Sequence, residues 1–80
     1  MKAIVIVTLK KTVLDPQGMT IHRNLASLGM PDVTEVRQGK YFNIEIKDGL
    51  APEQARQQVE RLAKEVLTNP VIEEYRIVWE

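Results

Sequence analysis

Few side chains in this sequence could do chemistry, and their spacing keeps them apart. His22 is the sole histidine and there is no cysteine, so thiol nucleophiles and cysteine-bearing zinc sites are excluded. An imidazole acting as a general base needs a nucleophile and an orienting group within reach, and no motif supplies them. His22 therefore reads as a structural or surface residue. Glu73 and Glu74 are paired carboxylates, but neighbours on a strand point to opposite faces and cannot share one substrate. They read as protection of an edge strand. Lys10 and Lys11 precede a helix start at Asp15-Pro16-Gln17-Gly18, where free backbone N–H groups could hold an anion. Neither GxxxxGK[ST] nor GxGxxG is present, and Asp15 would repel a phosphate. This segment reads as an ordinary capped loop. HExxH and GxSxG are absent too, so the expected catalytic, cofactor-binding and metal-binding residue sets are all empty.

Composition agrees with a chain that binds other proteins. Lys plus Arg and Asp plus Glu are each 11, giving a net charge of zero. No global field draws the chain to nucleic acid or anionic lipid, and self-association meets little charge repulsion. With 80 residues there is room for one domain, residues 1–80, whose small core leaves a thin stability margin that burial against a partner would widen. The apolar run Ala3–Val7 is too short for a signal-peptide core or a membrane span, so a cytoplasmic chain is expected.

The elements that must position these residues are legible as patterns. Residues 2–9 are rich in β-branched residues and apolar on both alternating faces, which predicts a central strand. Asp15-Pro16 starts a helix carrying Ile21, Leu25 and Leu28, and Gly29 and Pro31 end it. Residues 33–46 predict two strands turning at Gly39-Lys40, and Asp48-Gly49 makes the next turn. Pro52-Glu53 opens a second helix, with Ala55, Val59, Leu62 and Val66 in one arc and Ala63 and Leu67 on its shoulder. Glu60–Lys64 and Arg61–Glu65 are spaced to pair on its flanks. Asn69-Pro70 ends it before a last strand from Ile72 to Trp79.

This order predicts an α+β, ferredoxin-like βαββαβ fold: a four-stranded antiparallel sheet, strand order 4-1-3-2, with two helices on one face. The other face is left open. Alternation places Ile4, Ile6, Tyr41 and Val78 there among Thr8, Asn43, Glu45 and Arg76, a surface apolar enough to demand a partner and polar enough to specify one. An RNA-recognition reading of Gly39-Lys40-Tyr41-Phe42 fails because Phe42 alternates inward and excess positive charge is lacking. An acylphosphatase-like hydrolase would need an arginine in the first β–α loop, and a small ligand-sensing domain of this fold is the other alternative.

Five segments taken together resemble the PurS family, the small subunit of phosphoribosylformylglycinamidine synthase. They are Val7-Thr8-Leu9-Lys10, Leu14-Asp15-Pro16-Gln17-Gly18, Ser27-Leu28-Gly29, Val36-Arg37-Gln38-Gly39-Lys40-Tyr41 and Asn69-Pro70-Val71-Ile72-Glu73-Glu74-Tyr75-Arg76-Ile77, spread over nearly the whole chain. The resemblance implies a subunit without catalytic residues that self-associates, as a dimer or tetramer, in purine biosynthesis. It would join a glutaminase subunit (PurQ) to a synthetase subunit (PurL) and assist ammonia transfer between them. No cofactor is then expected on this chain, while the complex would use ATP and magnesium. Ile4, Ile6, Tyr41 and Val78 become the expected self-association face, and Arg37 and Lys40 at the predicted hairpin the expected contacts to a larger subunit.

Overall fold

A computed structural model describes residues 1–80. Strand β1 (Lys2–Leu9) lies between two antiparallel neighbours, β2 (Gly39–Glu45) and β3 (Glu73–Trp79), in the order β2-β1-β3. Its central place follows from its sequence: β1 is apolar on both faces, and Ala3, Val5 and Val7 are fully buried on one of them. Helix α2 (Pro52–Leu62) covers that face, adding Val59 and the following Ala63 to the same core. Phe42, Ile44, Ile46, Leu67, Tyr75, Ile77 and Trp79 pack around it, half-buried.

Three strands are present where four were predicted. Residues 33–38 pair with no strand, and the chain does not turn at Gly39-Lys40. Those two residues begin β2, with Gly39 opposite Thr8 and Lys40 opposite Val7. A glycine is needed there for closeness: a Cβ would stand 2.7 Å from the Val7 carbonyl oxygen and 2.9 Å from Thr8 Cγ2. The left-handed conformation that a tight turn demands occurs only at Gly29 and Gly49. Residues 33–38 have only Val33 and Val36 as apolar side chains, three apart, so they offer no alternating face to a core.

The expected pair of helices on one sheet face is also corrected. Helix α1 (Pro16–Arg23) contributes nothing to the core, and its single buried residue is Gly18, pressed against the backbone at Val36 and Arg37. Residues 10–38 instead form an arm beyond one end of the sheet. The molecule measures 52 × 26 × 14 Å with a radius of gyration of 16.4 Å. A compact chain of this length has a radius of about 12 Å.

Both helices depart from regular α-geometry near their ends. Asp15 caps α1 as read, accepting from the Gly18 N–H at 3.1 Å. The helix then stops at Asn24, because Asn24 and Leu25 donate three residues back and the Ser27 hydroxyl takes the Asn24 carbonyl at 2.9 Å. A 3₁₀ turn, Ala26–Leu28, follows, and Gly29 closes it. Helix α2 widens into a π-turn at Ala63–Leu67. The extra residue in that turn rotates Val66 out to 72% exposure and brings Leu67 in, which reverses the places a 100° period assigned them. Arg61 and Glu65 pair at 2.9 Å as expected. Glu60 does not pair with Lys64: its carboxylate accepts the Tyr75 hydroxyl at 3.0 Å, which pushes the phenol's pKa upward.

Candidate functional site

The face of the sheet opposite α2 carries no element of this chain. Pairing registers set Asn43, Ile4 and Val78 in one row across the three strands, and Tyr41, Ile6 and Arg76 in the next. All four predicted residues therefore share this face, because period-two alternation passes through aligned registers. Tyr41 is 59% and Val78 39% exposed, while Ile4 and Ile6, flanked on both sides, are half-covered by their neighbours. Polar rows border the pair: Lys2 reaches Glu45 at 3.9 Å at one end, and Thr8 lies between Gly39 and Glu74 at the other. An apolar centre with a charged rim is the anatomy of a protein interface.

The arm is the second feature, and sequence reasoning missed it. Asp15 is its root. One carboxylate oxygen accepts from Gly18 and the other from the Gln38 N–H at 2.6 Å, so both ends of the arm close on a single buried side chain. Arg37 completes the clasp with hydrogen bonds to the carbonyls of Val13, 2.7 Å, and Lys10, 3.2 Å. Its predicted place at a hairpin tip is thus corrected to an exposed strut joining the two ends of the arm, since the hairpin does not form. Lys40 lies on β2 and pairs with Glu73 at 3.7 Å, largely exposed. His22 has a structural role in the arm, its Nε2–H donating to the Val33 carbonyl at 2.7 Å.

The hydrogen bond from Gln38, then that from Gly18, holds the Asp15 carboxyl below its usual 3.8, with Arg37 adding attraction and burial opposing. A lowered folded-state value means that the carboxylate stabilises the fold above the unfolded pKa and loses that effect as pH falls through the folded one. The clasp should therefore hold at neutral pH and open only below about pH 4. Amide hydrogen exchange at Gln38 checks this: protection should drop in acid and should be absent at all pH values in Asp15→Ala.

His22 faces a carbonyl, Glu73 accepts the Asn69 N–H at 2.8 Å besides pairing with Lys40, and no three His, Cys, Asp or Glu side chains cluster as metal ligands. No helix is long and apolar enough to cross a membrane.

Comparison with known proteins gives this geometry a family. The family model described as PurS, phosphoribosylformylglycinamidine (FGAM) synthase, matches residues 2–80. The phosphoribosylformylglycinamidine synthase subunit PurS of Methanocaldococcus jannaschii is 46% identical over 95% of this chain and 90% of its own. That of Bacillus subtilis is 37% identical over 94% and 87%. The crystal structure of M. jannaschii PurS superposes with a TM-score of 0.81 at 43% identity, covering 96% of this chain and 92% of that one. A chain in the structure of PurLQS from Thermotoga maritima superposes at 0.83 and 33% identity, covering 96% and 94%. A small α+β chain with an uncovered apolar sheet face and a projecting arm thus belongs to the PurS family of phosphoribosylformylglycinamidine synthase subunits.

Proposed function

We propose that residues 1–80 act as one PurS-like unit, a non-catalytic bridge between the glutaminase and synthetase subunits of phosphoribosylformylglycinamidine synthase. The complex would couple ATP, with magnesium, to amidation of formylglycinamide ribonucleotide by ammonia from glutamine, in the cytoplasm. This chain would bind neither nucleotide nor metal. Its task would be to hold two active sites together and keep water from the path between them, which is a task for interfaces. The observation that carries this reading is the open sheet face, apolar at Ile4, Ile6, Tyr41 and Val78 within a polar rim. We assign that face to self-association, and Lys40 with Arg37, near one end of the sheet, to contact with a larger subunit.

Mixed with the glutaminase and synthetase, the chain should produce a three-component species on gel filtration that those two do not make alone. A glutaminase–synthetase complex of the same yield without it contradicts the bridging role. Ile6→Glu, which places a charge amid the apolar rows without touching the buried face, should move the isolated chain to a smaller species at micromolar concentration. Its far-UV spectrum should be unchanged. An unaltered elution volume removes this face from self-association.

A further inference from the structure

The loop that follows β1 carries Lys10 and Lys11, and neither ammonium comes within ion-pair distance of a carboxylate. Hydrogen bonds fix this loop beside the one that leads into β3: the Lys10 N–H donates to the Ile72 carbonyl, and the Val13 N–H closes a turn on the Lys10 carbonyl, each at 2.9 Å. The second loop is equally held. Asn69 accepts from Val71 through its side chain and from Ile72 and Glu73 through its carbonyl. Two fixed turns thus share the end of the sheet, and their apolar side chains are uncovered: Leu14 is 68% and Val71 77% exposed, and Ile72 is exposed beside them. The carboxylates nearby are engaged or face elsewhere. Asp15 is buried in the clasp, the Glu73 side chain is only 12% exposed, and Glu74 lies with Thr8 on the open sheet face. Lys10 and Lys11 therefore give an aliphatic patch a basic rim.

We propose that this end of the sheet docks an acidic protein surface on one of the two larger subunits, with Val71, Leu14 and Ile72 against an apolar hollow and Lys10 and Lys11 against carboxylates around it. The proposal rests on the bridging reading above and extends its contact from Lys40 and Arg37 to the loops beside them. Charge and composition select the occupant. A second copy, meeting this patch across a two-fold axis, would bring the same lysines face to face. Nucleic acid would call for a longer basic track and for aromatic side chains on which bases stack, and the exposed apolar groups here are all aliphatic. A carboxylate-rimmed protein surface satisfies both the lysines and the apolar centre. Because both turns are held by hydrogen bonds before any partner arrives, little ordering is left to oppose binding.

The test follows binding of the full chain to the glutaminase and synthetase together, by surface plasmon resonance. Lys10→Glu combined with Lys11→Glu should slow association about tenfold at ~0.05 M salt. The difference should vanish near ~1 M salt, where the screening length is about 3 Å. Val71→Ser should leave association unchanged and speed dissociation about tenfold. Both variants should keep the far-UV spectrum and the elution volume of the unaltered chain, because neither substitution enters the core or the open sheet face. Unaltered binding in either variant overturns the proposal, and so does a loss in the lysine variant that persists at ~1 M salt. A changed elution volume places a second copy on this surface and overturns it too. Failure of the unaltered chain to bind the two subunits would instead remove the bridging reading itself, a result visible before any substitution is made.

Discussion

Val59→Asp should abolish the cooperative thermal transition of this protein, whereas Val66→Asp, one helical heptad later, should shift it by only a few degrees. Val59 is 1% exposed and packs with Ala3, Val5, Val7 and Ala63, the only other apolar side chains of the main core cluster that are fully buried. At ~0.05–0.15 kcal/mol per residue, a domain of this size has about 4–12 kcal/mol of stability. An unpaired carboxylate in that core costs several kcal/mol, which takes most or all of it. Val66 lies on the exposed side of the π-turn, where surface substitutions usually cost within about 0.5 kcal/mol. Melting followed by far-UV circular dichroism separates the two. Equal damage from both substitutions would mean that Val66 is buried and that α2 continues as a regular helix.

Gly18→Ala is the second large effect, and its sign decides between local propensity and packing. Propensity alone favours alanine in a helix by about 1 kcal/mol. At this position a Cβ would overlap the Val36 carbonyl oxygen and stand 3.0 Å from Arg37 Cα. These are backbone atoms and cannot swing aside as a side chain would. Overpacking of this kind costs ~1–3 kcal/mol, and packing should win. The variant should show lower stability in urea denaturation and lost protection of the Gln38 amide, because the strand of chain that Asp15 grips is pushed off α1. A more stable protein with an intact Gln38 amide would show that the arm is not seated on Gly18.

What was legible in the sequence was whatever depends on near neighbours. The β-branched run of β1, the Asp15 cap, the left-handed glycines at 29 and 49 and the proline start of α2 are each decided within a few residues. The open face was legible for a related reason: alternation fixes sides, and once β1 is central its two neighbours fall into register on either side of Ile4 and Ile6. The second of the four predicted strands was misread because Val33 and Val36 carry β-branched side chains while the backbone around them is committed elsewhere, to His22 and Asp15. Arg37 was misplaced for the same cause, since the two carbonyls that hold it lie 24 and 27 residues away. The π-turn escaped notice because a fixed 100° period presupposes the regularity that it breaks. The departure of α1 from the sheet had no local signal at all, because an apolar stripe on a helix reads identically whatever surface it comes to meet.

The bridging role makes its sharpest claim about the fate of ammonia. Product formation by glutaminase and synthetase should be measured with and without this chain, once with glutamine and once with an ammonium salt as the nitrogen donor. The account predicts that the glutamine-dependent rate requires the chain and that the ammonium-dependent rate does not. A glutamine-dependent rate that persists in its absence, or an ammonium-dependent rate that falls in equal measure, would contradict it.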